Sequence, residues 1–146
     1  MSNTDPKQRQ YMALAPFVSL AGIFIHPVAS TIAPLILFFI FRNSRPNVGT
    51  ISLRTADMAF SIQLWIMLIS LALMLGISMN MITANDSREM MNMATITILV
   101  IFVVSLVIAI YQAFNGKVYK YLFSFRIAER VFDLVYKRNQ NKDKNS

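Results

Sequence analysis

Three stretches of the chain, residues 10–41, 58–85 and 90–116, contain no Asp, Glu, Lys or Arg. A helix crosses the roughly 30 Å hydrocarbon core of a bilayer with about 20 mainly apolar residues, and each stretch is long enough. A soluble fold would have to cover all three with too few polar residues. The pattern predicts an all-α membrane helix bundle.

The first apolar block, 12–41, would be about 45 Å long as a single helix. It contains Pro16, Pro27 and Pro34. Proline removes a backbone donor and clashes with the preceding turn, and it pushes the residue before it toward extended geometry. A break at His26-Pro27 therefore splits the block into short helices over about 8–25 and 29–41. Two tilted helices, a re-entrant hairpin and one bent helix all fit this pattern. Arg42 to Gly49 reads as a loop, 52–79 as the third helix, 80–92 as a polar connection and 93–114 as the last helix, stopped by Asn115-Gly116. After Tyr119 the charged residues fall on one helical face and Ile127, Val131, Leu134 and Val135 on another, the signature of an amphipathic surface helix. The expected organisation is a polar segment 1–10, a transmembrane domain 11–116, a basic amphipathic helix 117–138 and a polar tail 139–146. The apolar run continues well past Val28-Ala29-Ser30, so the start is read as a retained segment and not a cleaved signal.

Charge orients these elements. The 42–57 loop carries three arginines and the segment 117–146 carries eight Lys/Arg, whereas 80–93 has only Arg88 beside two acids. Lys and Arg collect on the cytoplasmic side. The expectation is a multi-pass protein of the bacterial cytoplasmic membrane with both termini cytoplasmic, the first block going in and coming back. The net charge of +7 is then a topology signal that meets anionic lipid through Lys117, Lys120, Arg126, Arg130, Lys137 and Arg138. It does not indicate nucleic acid.

Several motifs resemble the Tic-twenty-like group of small bacterial membrane proteins. Pro34-Leu35-Ile36-Leu37-Phe38 leads to Arg42-Asn43-Ser44-Arg45-Pro46, and Ala113-Phe114-Asn115-Gly116-Lys117 leads to Tyr119, Tyr121 and Phe125-Arg126-Ile127. The chain departs from that group's polar intramembrane positions at Ala15-Pro16-Phe17 and Ala59-Phe60-Ser61. The resemblance covers about 11–127. It implies a small polytopic fold and an accessory role in protein or peptide translocation.

Candidate chemistry is sparse. The chain has no cysteine, one histidine and seven acids, none of them near the histidine in sequence. Catalysis needs a nucleophile with a base, or paired carboxylates, in mutual reach, and no residue cluster here spells out a reaction, so no catalytic residue, metal site or cofactor is expected. His26, Gln63 and Gln112 are the candidate intramembrane polar groups. Ala15, Ser19 and Gly22 share one face with His26, Ala59 and Ser70 share one with Gln63, and Ser105 and Ala109 share one with Gln112. In lipid, such faces mark helix–helix contact. Methionines flank the 80–93 connection. Thioethers suit Cu(I), but methionine is also an ordinary adaptable apolar residue. The expected function is non-enzymatic, exerted on a membrane or secreted protein partner, as a translocation accessory or as immunity against a membrane-active toxin. The alternative is a small transporter lined by the three polar groups.

Overall fold

The computed structural model describes residues 6–121, 124–125, 127 and 130–131. Four helices account for most of them: α1 Pro6–Ile25, α2 Ala29–Phe41, α3 Pro46–Ser78 and α4 Ala84–Phe114. No strand occurs among the described residues. The chain is all-α, as its apolar pattern predicts.

The first block breaks where proline demands. The amide of His26 closes α1 on the Gly22 carbonyl at 2.9 Å, and Ala29 N–H donates to the His26 carbonyl at 2.9 Å to start α2. Pro16 and Pro34 stay inside their helices.

Two boundaries differ from expectation. The third helix starts at Pro46, six residues earlier than predicted. Proline at the first helical position costs nothing, because that N–H has no intrahelical partner. The last helix starts at Ala84, so 80–92 is not a connection. The link between α3 and α4 is only 79–83, and the polar residues after it form the opening turns of α4. Thr83 caps them: its Oγ1 accepts from Asp86 N–H at 3.2 Å, and the Asp86 carboxylate accepts from Thr83 N–H at 3.3 Å and from its hydroxyl at 2.7 Å. This reciprocal arrangement satisfies orphan donors of the first turn.

At 1.5 Å per residue, α3 and α4 are about 50 and 46 Å long and α2 is only about 20 Å. The α1–α2 hairpin packs against one half of the longer α3–α4 hairpin. At the outer end of that half, Met12 and Ala15 pack with Val48, Ile51 and Ala113. Further in, Met58, Ala59 and Ile62 pack with Phe102, Leu106 and Ala109, with Leu20 and Ile23 of α1 against them. Beyond the tip of α1–α2, α3 and α4 continue as a bare pair. Trp65, Met67, Leu68, Leu71 and Met74 are exposed on α3, and Ile96, Leu99 and Val100 on α4.

Both long helices are apolar enough to cross a membrane, yet only 11% and 17% of their most apolar windows are buried within the chain. A soluble core helix would be mostly covered. These faces need a hydrocarbon solvent, and the protein is a membrane protein.

After Gly116 (φ 71°) the chain is not helical over 117–121. That corrects the start of the expected amphipathic helix: the segment turns back along α3. Buried Tyr121 shares a 3.0 Å hydrogen bond with Thr55, the amide of Phe125 donates to Ser61 Oγ at 3.0 Å, and the Phe125 ring stacks on Trp65 at 5.5 Å. Ile127, Arg130 and Val131 have helical backbone. The rest of the expected helix, with Arg126, Lys137 and Arg138, and the 139–146 tail lie outside the described residues.

Candidate functional site

Three places on the bundle concentrate polar groups: the α1–α2 tip, the basic end and the α3–α4 turn.

At the tip, Gln63 of α3 reaches the α1–α2 turn. Its Nε2 donates to the Pro27 carbonyl at 2.6 Å and to Thr31 Oγ1 at 3.0 Å. The Pro27 carbonyl also accepts from Ser30 Oγ at 2.6 Å. The Thr31 and Ile32 amides both donate to the Val28 carbonyl, at 3.1 and 3.0 Å, so side chains serve the Pro27 carbonyl. His26 lies in the same turn with its ring exposed, and Nδ1 accepts from the Val28 amide at 3.2 Å. It serves as a turn cap. Gln112 is half-buried elsewhere: its carbonyl accepts from Lys117 N–H at 2.9 Å, at the far end of α4. Ile98 and Ile101 of α4 line the same apolar cleft as Ile62 and Trp65, which sets the level of Gln63. Gln112 is eleven residues past Ile101, about 16 Å along the helix. His26 and Gln63 come together, and Gln112 does not join them as a continuous polar lining.

The small-residue face of α1 is a helix contact. Ala15, Ser19 and Gly22 are all buried. Ser19 Oγ donates to the Ser30 carbonyl at 2.8 Å. A Cβ at Gly22 would meet Ser30 N at 2.8 Å and Cα at 2.9 Å. Ala59 and Ala109 are buried in the α3–α4 core and Ser105 is half-buried, whereas Ser70 is exposed on the part of α3 that α1 and α2 leave uncovered. Sequence reasoning missed Ser61 and Thr55, which anchor the segment after α4. Their hydroxyls gave no local signal of a partner more than sixty residues away.

The basic end gathers the start of α1, the α2–α3 turn and the end of α4. The Arg45 guanidinium lies 3.9 Å from the Tyr11 ring centroid, and Tyr11 packs on Phe41 at 5.6 Å. Arg42 lies 5.6 Å from the Phe39 ring. Arg9 Nε and Arg45 Nη1 are buried donors without a hydrogen-bond partner among the described residues. Lys117, Lys120 and Arg130 are exposed. Burial pushes the Tyr121 phenol up, so it stays protonated beside Thr55.

The α3–α4 turn is the opposite end. Asn80 adopts a left-handed conformation (φ 54°), and the Met81 amide returns to the Gly76 carbonyl at 3.0 Å. Asn80, Asn85, Asp86, Arg88, Glu89 and Asn92 are exposed around it, with Met79, Met81, Met90 and Met93 exposed beside them. Among the described residues, no three His, Cys, Asp or Glu side chains form a metal-holding group.

Comparison with known proteins corrects the family. The motifs behind the Tic-twenty-like resemblance are a proline-bearing apolar helix running into basic residues and an Asn-Gly helix stop. Any short membrane helix ending at a charged interface uses the first, and left-handed caps generally use the second. No curated protein matches, and no solved structure matches. A family model does match residues 7–128, spanning all four helices and the start of the segment folded back on α3. It is the model of the MamF/MmsF family, described as the magnetosome magnetite crystal formation protein family, and the chain belongs to that family.

Proposed function

We propose that this chain takes part in magnetite crystal formation from within a membrane, without catalysing a reaction. The observation that carries this reading is the family match over 7–128. The fold supports it by giving the bundle two chemically different ends. The basic end, with Lys7, Arg42, Arg45 and Lys117, takes the cytoplasmic side together with both termini, following the positive-inside rule. The α3–α4 turn then faces the opposite compartment, where a crystal would grow.

That turn presents Asp86, Glu89 and the Asn80, Asn85 and Asn92 amides. Carboxylate and carbonyl oxygens are hard donors, suited to hard metal cations and oxide surfaces more than thioethers are. The turn is held firmly by the Thr83–Asp86 cap at the end of two long helices, so its side chains meet a surface in a fixed arrangement. A protein partner in the same membrane fits the uncovered apolar faces of α3 and α4.

Deleting the gene in a magnetite-forming host should change crystal size or shape in electron micrographs, and the intact gene should restore them. Replacing Glu89, Asn85 and Asn92 by alanine should reproduce the deletion while the protein still reaches the membrane. Wild-type crystals in the deletion strain would refute the mineral role. Wild-type crystals with the triple variant would refute the assignment to the α3–α4 turn.

A further inference from the structure

The geometry points to an α1–α2 hairpin that is a re-entrant wedge, entering at the basic end and stopping short of the far interface, so that the molecule is wider on the basic side of the membrane and favours membranes convex on that side. This inference rests on α3 and α4 spanning the bilayer and is independent of any mineral.

The first ground is length. A helix must be about 30 Å long to cross the hydrocarbon core, and α2, with 13 residues, covers only about 20 Å. The second is level. Gln63 holds the Pro27 carbonyl, which fixes the α1–α2 tip beside the middle of α3. If the core begins where charge ends on α3, at Met58, the tip lies about 8 Å deep. If it begins opposite the end of α4, beside Gly49 and Thr50, the tip lies about 20 Å deep. Either limit leaves the tip inside the core and short of the far interface.

The third ground is the chemistry of the tip. Phe24 and Ile25 are 87% and 82% exposed and Val28 is exposed beside them, with no charged residue anywhere in 10–41. A tip in water on either side would bare these groups. Beyond it, exposed Leu68, Leu71 and Met74 of α3 and Ile96, Leu99 and Val100 of α4 still require lipid. The bilayer therefore extends past the tip, and acyl chains cover the tip.

The consequence is an asymmetric cross-section. The half near the basic end holds four helices and the folded-back segment around Tyr121. The distal half holds two helices. At about 10 Å per helix, the molecule displaces roughly twice as much lipid area on the basic side of the tip as beyond it. Inserted wedges of this kind make binding sensitive to curvature.

The chain has no cysteine, so single-cysteine variants of the full protein report depth directly. In reconstituted vesicles, a membrane-impermeant maleimide should label N43C from one side and M81C from the other. F24C should react from neither, and a nitroxide there should respond to oxygen and not to a water-soluble nickel chelate. Labelling of F24C from the M81C side would show a full crossing, and labelling from the N43C side a surface hairpin; either overturns the proposal. Labelling of N43C and M81C from the same side would overturn it together with the spanning reading. For the wedge, dye on N43C counts only molecules with the basic end outward. Their density per membrane area should be higher in vesicles of about 50 nm than in vesicles of about 200 nm. A density independent of diameter would overturn the wedge.

Discussion

Gly22 of α1 presses on the backbone of Ser30 in α2, so closely that a Cβ at Gly22 would sit 2.8 Å from the Ser30 nitrogen. The obstacle is main chain and cannot rotate away. Gly22→Ala should force the two helices apart and destabilise the bundle by about 1–3 kcal/mol, the usual cost of overpacking. Unfolding in mild detergent should show the loss, and Ser19→Ala, which removes only the bond to the Ser30 carbonyl, should cost less.

Gln63 fastens the hairpin tip to α3. Gln63→Leu keeps the bulk but removes both donors, leaving the Pro27 carbonyl with Ser30 alone. The expected loss is about 1 kcal/mol. Hydrogen exchange should quicken at Val28 and Thr31 and not at residues near Gln112. Unchanged exchange at the tip would show that Gln63 does not hold it.

Trp65 is the only tryptophan, and it stacks on Phe125. It therefore reports whether the segment after α4 is docked. Phe125→Ala should alter Trp65 emission directly. Tyr121→Phe should do so at a distance, by loosening the Thr55 bond at a cost of about 1 kcal/mol. Thr55→Val combined with Tyr121→Phe should be less than additive, as expected for two groups sharing one bond.

The α4 cap sets a fourth expectation. Thr83→Val removes the acceptor of Asp86 N–H, and Asp86→Asn weakens the return bond. Each should cost about 1 kcal/mol and fray residues 84–87, seen as faster amide exchange there. The turn should then present Glu89 and Asn85 less rigidly, so a mineral-facing role predicts altered crystals from Thr83→Val as well.

Much of the architecture was legible because apolar runs and prolines act locally. The break at His26-Pro27 and the bounds of α2 follow from them. The start of α4 was hidden because Asn85, Asp86, Arg88 and Glu89 look like a loop. The Thr83-x-x-Asp86 spacing carried the correct signal, a helix opening. Pro46 misled in the same way, since proline marks a helix start as readily as a loop. The spacing put Ala15, Ser19 and Gly22 on one face, but nothing in it pointed to Ser30. Periodicity shows that a face is buried and says nothing of what buries it. The contacts of Thr55 with Tyr121 and Ser61 with Phe125 depend on the chain reversing after Gly116, which no local pattern encodes. The family was misread because helix-end motifs are shared widely among small membrane proteins.

The packing of Met12 and Ala15 with Ala113 bears on how the protein is made. Helix α1 is completed by α4, which is made later. Until α4 has been synthesised, the inner face of α1 has only α2 and α3 to cover it, and its polar Ser19 side is matched while its side toward Ala113 stays open. A chain released early, or one whose fourth helix is slow to integrate, would display that face to the insertion and quality-control apparatus. Assembly of this bundle is thus tied to the synthesis of α4.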